Sequence, residues 1–218
     1  MNRRALVIAT AGIALSVFAA GAVWSGRFGS PTPSTLRLAE GDALVRPHSP
    51  VLGPANAPVT IVEFFDPSCE ACRAFHPIVK QIMDAFPGKV RLVIRYTPFH
   101  EGSDEAVRIL ETARLQGLFV PVLEALLARQ PEWAIHGSPN LQLAWDIAQA
   151  AGLDVDRARR EVNLPGITAI LEQDVADVRA RGVNRTPTFF VNGKPLPSFG
   201  PRQLFDLVRS EVERLPTS

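Results

Sequence analysis

Cys69 and Cys72 are the only cysteines of the chain, set two residues apart in Phe65-Asp66-Pro67-Ser68-Cys69-Glu70-Ala71-Cys72, directly after the apolar run Val59–Phe65. A strand that enters a tight turn and then a helix puts Cys69 at the helix N-terminus, where free amide groups and the helix dipole favour a thiolate. Such a thiolate attacks disulfides. Two blander readings compete: half of a zinc site, or a pair of small buried hydrophobes. A structural zinc site needs about four ligands, and the four histidines, His48, His76, His100 and His136, are scattered. A bond between Cys69 and Cys72 closes too short a loop to staple a fold. Redox chemistry accounts for the pair best. No metal is expected, and the chain has no dinucleotide fingerprint, so the only redox group expected is the Cys69–Cys72 disulfide itself.

The N-terminus bears on that chemistry. Met1-Asn2-Arg3-Arg4 precedes an uncharged, mostly apolar stretch from Ala5 to Gly26, with Ala20-Gly21-Ala22 as a small-residue cleavage site. Residues 1–26 therefore read as a signal peptide or an N-terminal membrane anchor, the length approaching the ~20 residues that span a bilayer. Either outcome delivers the rest to the periplasm or another extracytoplasmic space, free or anchored to the inner membrane. Disulfides persist there. An exported chain with one close pair and no disulfide framework uses cysteine for chemistry. The formal charge is +1, and slightly negative without Arg3 and Arg4, so nucleic acid is not an expected partner.

The elements that must hold the pair follow from pattern. From Arg27 to about Pro58 the chain is rich in Pro, Gly and Ser; residues 27–50 read as a linker and 51–215 as one domain. A short edge strand or helix is expected within Leu36–Val45. Val59–Phe65 reads as a buried strand. Ser68 is expected to cap the following helix, whose apolar residues Phe75, Ile78, Val79, Ile82, Met83 and Phe86 carry it to Pro87-Gly88, with a kink at Pro77. Val90–Tyr96 is a second strand, making a parallel βαβ unit. Four or five helices are expected from Ser103 to Arg181, broken near Gly117, Pro131, Gly137-Ser138-Pro139, Gly152 and Pro165-Gly166, with Ser138 or Asn140 and Asp154 near helix starts. Thr188–Val191, the hairpin signal Asn192-Gly193, and Lys194–Leu196 give two more strands. A last amphipathic helix is expected from Pro201 to Leu215.

That order, with the cysteine pair opening the first helix and Thr186-Pro187-Thr188 opening the late hairpin, resembles the thioredoxin superfamily. The helical block between the halves is similar to that of its DsbA-like, exported thiol-disulfide oxidoreductases. The resemblance covers about residues 51–215. It implies an α/β thioredoxin fold, a central mixed sheet flanked by helices, with an inserted helical subdomain at about 102–182 between the βαβ and ββα halves. It implies that Cys69 is an exposed nucleophile and Cys72 a buried resolving thiol, exchanging disulfides through a mixed disulfide with a partner. Pro187 matches the family's cis proline, which with Thr186 would dock an extended substrate. Glu63 matches a buried acidic residue beneath the cysteines, with a raised pKa and a proton to relay to Cys72.

Glu70 and Ala71 stand where the best-known oxidant of the family has Pro-His. Glu70 brings negative charge to Cys69, so a less oxidising pair is expected. Thr186 is similar to the residue of the isomerase and reductase branches, which leaves the direction of exchange open. His100 is placed to reach the active face; His76 is read as solvated, and His48 and His136 as incidental. The implied partners are extended or unfolded exported polypeptides and a membrane redox protein of the DsbB or DsbD type. Residues 27–58 are too short and Pro-rich for a separate dimer domain, which points to a monomeric oxidase or reductase. The competing readings are a thiol and histidine copper-handling module, a disulfide isomerase or reductase, and a peptide-binding chaperone with idle cysteines.

Overall fold

Val59–Phe65 is buried along its whole length, and the rest of the molecule is arranged around it. The computed structural model describes residues 44–216. The signal or anchor expected at 1–26, most of the linker at 27–50, and all but the end of the element expected within Leu36–Val45 lie outside the described residues. Five strands form one mixed sheet: β1 (Val51–Leu52), β2 (Val59–Phe65), β3 (Val90–Tyr96), β4 (Thr188–Val191) and β5 (Lys194–Pro195), in the order β1-β3-β2-β4-β5. β2 runs parallel to β3, from Val59 opposite Val90 to Phe65 opposite Tyr96, and antiparallel to β4. A strand with layers on both faces has no solvent side, so its sequence is a continuous apolar run and not an alternation.

Successive β2 side chains point to opposite faces. Val59, Ile61 and Phe65 join the core formed with Cys72, Phe75, Val79 and Ile82 of helix α1 (Glu70–Ala85) and Leu204, Val208 and Val212 of α8 (Pro201–Glu213). Val62 and Phe64 face the other way, with Leu44, Val93 and Val178. Glu63 is in phase with Ile61 and Phe65, which turns it toward the cysteines. α1 runs unbroken through Pro77; the missing N–H there leaves the Arg73 carbonyl without its helical donor.

Six helices, not the four or five expected, lie between β3 and β4: α2 (Ser103–Leu115), α3 (Phe119–Ala128), α4 (Gln130–Trp133), α5 (Leu141–Ala150), α6 (Val155–Glu161) and α7 (Pro165–Ala180). α4 is a single turn, too short to show a period, and Pro131 sits inside its first turn instead of breaking a longer helix. Asn140 caps α5 by accepting from the Leu143 amide (3.0 Å), and Asp154 caps α6 by accepting from Arg157 (2.9 Å). The Asn192-Gly193 turn joins β4 to β5 with both residues at positive φ, 46° and 80°, the conformation a two-residue hairpin requires.

Residues 44–50, read from the sequence as the linker's end, pack on the sheet. Leu44 is 1% exposed. Arg46 forms a paired contact with Asp177 (Nε–Oδ2 2.8 Å, Nη2–Oδ1 2.7 Å), and His48 Nε2 lies 2.7 Å from Asp174 Oδ1, so His48 is not incidental. Both aspartates also hold the fully buried Arg95 of β3, at 2.8 Å and 2.6 Å.

Candidate active site

The turn after β2 delivers Cys69 to the mouth of α1, where it occupies the N-cap position. The expected cap, Ser68, does not serve: its hydroxyl is buried without a hydrogen bond among the described residues. Asp66 shapes the turn instead. Its carboxylate accepts from the Ser68 amide (2.8 Å) and its carbonyl from the Cys69 amide (3.1 Å). The same fully buried carboxylate accepts from the Ser103 hydroxyl (2.5 Å) and from the amides of Phe99 (2.8 Å) and His100 (3.0 Å). His100 Nδ1 lies 2.7 Å from it. Asp66 thus ties the cysteine turn to the loop after β3 and to α2, and its own amide donates to Cys72 Sγ at 3.5 Å.

Cys69 and Cys72 are both free thiols here. Cys69, expected to be exposed, shows only 6% of its surface, because the segment before β4 lies over it: the thiol donates to the Thr186 carbonyl at 3.4 Å. The Thr186–Pro187 peptide is cis. The Cys72 thiol hydrogen-bonds Cys69 and pulls its pKa down to about 5; burial opposes this, and the Thr186 side chain and the amides of Cys72 and Ala71 assist. Cys72 is pushed the other way by burial, by Cys69 and by Glu63. One thiol is therefore a ready thiolate and leaving group at neutral pH, while the other keeps its proton.

Glu63 is 2% exposed, with Oε1 buried and without a hydrogen bond among the described residues. Burial, and then the nearby Cys69 charge, raise its pKa to about 8. Opposite it in the sheet are Ile94 and Phe189, so no neighbouring strand position offers it a cation. The spacer behaves differently from expectation. Glu70 points outward, its side chain 73% exposed and 3.8 Å from His136 Nε2, so water screens its charge from Cys69. Ala71 packs against the core. His136 also stacks edge-on to His100, with ring centroids 5.5 Å apart, placing both at this end of the molecule. His76 is half-buried, not solvated: its Nε2 has no hydrogen-bond partner among the described residues, and burial and Lys80 lower its pKa.

Sequence reasoning missed Asp66 and Gln130. Asp66 before Pro67 reads as an ordinary turn residue. Gln130, 1% exposed, donates to the carbonyls of Pro67 (2.8 Å) and Cys69 (3.0 Å) across more than sixty residues of chain, and no local signal marks it. Among the described residues no group of three or more His, Cys, Asp or Glu converges to hold a metal ion.

A cysteine pair at the mouth of α1, with the Thr186 carbonyl set against the first thiol on a mixed sheet of this order, defines a thioredoxin-like fold and site. The comparisons agree. Residues 46–204 match the family model described as Thioredoxin. A thioredoxin-like oxidoreductase from Silicibacter pomeroyi DSS-3 superposes with a TM-score of 0.70 at 36% identity, covering 81% of this chain and all of that one. Oxidised BdbD from Bacillus subtilis superposes with a TM-score of 0.67 at 25% identity, covering 76% of this chain and 93% of its own. The chain belongs to the thioredoxin superfamily. It is also 33% identical over 146 residues to a Na(+)/H(+) antiporter NhaA from Herminiimonas arsenicoxydans, 67% of this chain but 22% of that protein. The chain thus spans about a fifth of the length of the curated relatives it matches, and the transport they are named for is said of those proteins alone.

Proposed function

We propose that this protein is an exported oxidoreductase that passes a Cys69–Cys72 disulfide to the cysteines of other exported polypeptides. The observation that carries this reading is the asymmetric placement of the pair, with Cys69 at the N-cap of α1 against the Thr186 carbonyl and Cys72 wholly covered behind it; the same asymmetry pulls the Cys69 pKa down and pushes that of Cys72 up. In the oxidised protein a substrate thiolate attacks Cys69 Sγ, and the Cys69–Cys72 bond breaks with its electron pair passing to Cys72. Glu63, which keeps its proton to about pH 8, supplies that proton to Cys72. A second substrate thiolate then attacks the sulfur bonded to Cys69 and releases Cys69 as the thiolate. The substrate loses two electrons and gains a disulfide; the protein ends as a dithiol. A leaving thiol of low pKa departs faster, which favours disulfide donation. The reverse sequence serves a reductase or isomerase.

Thr186 and Pro187 offer an edge on which an extended chain lies beside Cys69. A membrane redox partner of the DsbB or DsbD type resets the pair, and the protein works as a monomer with no further cofactor. Export and any membrane anchoring rest on residues 1–26. No described helix is long and apolar enough to cross a membrane. Related sequence within much longer proteins named as antiporters supports a place beside a membrane. Oxidised protein mixed with a reduced, unfolded polypeptide should consume its thiols, and Cys69→Ser should abolish this. Full activity in that variant would overturn the proposal, and tight stoichiometric Cu(I) binding without exchange would favour the metal module.

A further inference from the structure

Gln130 opens α4 within the helical insertion, yet its side chain reaches the turn that carries Cys69. The amide is fully used. Nε2 donates to the Pro67 carbonyl at 2.8 Å and to the Cys69 carbonyl at 3.0 Å, and Oε1 accepts from Arg73 Nε at 3.0 Å. The reverse orientation of the amide would set an oxygen against two carbonyls and an NH2 against a guanidinium, so the neighbours fix its direction. The two carbonyls flank Ser68, one on each arm of the turn, and Arg73 lies one helical turn after Cys69, its own amide donating to the Cys69 carbonyl at 3.1 Å. One side chain therefore clamps both arms of the turn and the first turn of α1. It is itself held: the Ala134 amide donates to the Gln130 carbonyl at 2.8 Å, and Trp133 Nε1, with its ring fully buried, donates to Leu126 at 2.8 Å.

We infer that Gln130 is a positioning residue of the redox site: it locks the turn that aims Cys69, and through it the helical insertion sets how readily Cys69 exchanges its disulfide. The inference rests on the thiol-disulfide reading and gives the insertion a second hold on the turn, beside the Ser103 contact to Asp66. The Cys69 thiolate depends on the amides of Ala71 and Cys72, on the Cys72 thiol and on Thr186. The first three are carried by the turn that Gln130 clamps. Once the clamp is removed, two carbonyls at the mouth of α1 lose a donor, and the turn relaxes to find others. The amides then aim less well at the sulfur.

The test compares wild type with Gln130→Met, which keeps the volume without any hydrogen bond, and Gln130→Glu, which keeps the acceptor for Arg73 but offers no donor. Thiolate absorbance near 240 nm is followed against pH, the equilibrium with glutathione is measured, and thermal unfolding is recorded alongside. Both variants should raise the Cys69 midpoint by about one unit, roughly tenfold less thiolate at a given pH below it, and shift the glutathione equilibrium several-fold toward the protein disulfide. A purely structural role would lower the unfolding temperature and leave the Cys69 midpoint where it was. A folded variant with unchanged midpoint and equilibrium overturns the inference; if Gln130→Met does not fold, Gln130→Glu decides by the same two readouts. Wild type lacking both a low thiol midpoint and exchange with glutathione would instead overturn the reading of Cys69 on which this rests.

Discussion

Cys69 and Glu63 titrate in opposite senses, and each gives the fold its own dependence on pH. The Glu63 carboxyl holds its proton to about 8 in the fold, against 4.5 when free. Between those values the folded protein binds a proton that the unfolded chain does not. The stability this contributes is present at acid pH and is lost as pH rises toward 8. Burial is the main cause and persists in the disulfide form, in which Cys69 no longer titrates. Denaturant unfolding of oxidised protein at pH 5 and pH 8 should show Glu63→Gln gaining on wild type at the higher pH by a few kcal/mol; an equal difference at both would contradict the buried proton. For Cys69 the sign is reversed: a folded pKa near 5 against 9.0 means that the dithiol form gains stability as pH rises through that window.

The same residue sets a potential. Pairs with a nucleophile near pKa ~7 lie at about −270 mV, and those near ~3.5 at about −120 mV. Cys69 near 5 predicts a potential between the two, less oxidising than the strongest oxidant, as the spacer suggests. The cause differs from the one read in the sequence. Glu70 is out in solvent, and the groups that tune the thiolate are Cys72, Thr186 and the helix-mouth amides. Titration against glutathione checks this, and a value at either extreme would contradict it.

At the level of elements, a buried ion cluster ties β3, α7 and residues 44–50 together. Arg95 is fully buried between Asp174 and Asp177, which lie three residues apart on one face of α7, and Asp174 also accepts from the Tyr96 amide at 2.8 Å. Arg95→Met would leave two carboxylates without their buried cation. It should cost roughly 3–5 kcal/mol by urea unfolding, since removing one partner strands the others. Arg46→Ala removes only the partly exposed outer member and should cost about 1 kcal/mol or less. The strands, the first and last helices and the hairpin were legible because burial and turn chemistry write themselves into neighbouring residues. The Arg95 cluster was not, because its partners are about eighty residues away and each alone reads as a solvated charge. Ser68 and Asp66 illustrate the same limit at short range: Ser68 suits a helix start and Asp66 an ordinary turn, and only the loop carrying Phe99 and His100 decides that Asp66 holds the cysteine turn.

Across the whole molecule, the reacting sulfurs were legible from one motif and the family's proline, whereas what holds them came from three separate stretches of chain. β2 and the turn after it supply Glu63 and Asp66, the insertion supplies Gln130 and Ser103, and the segment before β4 lays Thr186 over Cys69. Phe75 of α1 stacks on Phe189 and on the half-exposed Phe199, with centroids 5.3 and 4.7 Å away. In the proposed exchange a substrate must present its sulfur to Cys69, since Cys72 is completely covered. The direct check is to trap that encounter. Cys72→Ala should attack an extended peptide supplied as its disulfide-linked dimer, release one copy as the thiol and keep the other as a mixed disulfide, and peptide mapping by mass spectrometry should place the adduct on Cys69. Failure of the folded variant to form any adduct would contradict nucleophilic exchange at Cys69.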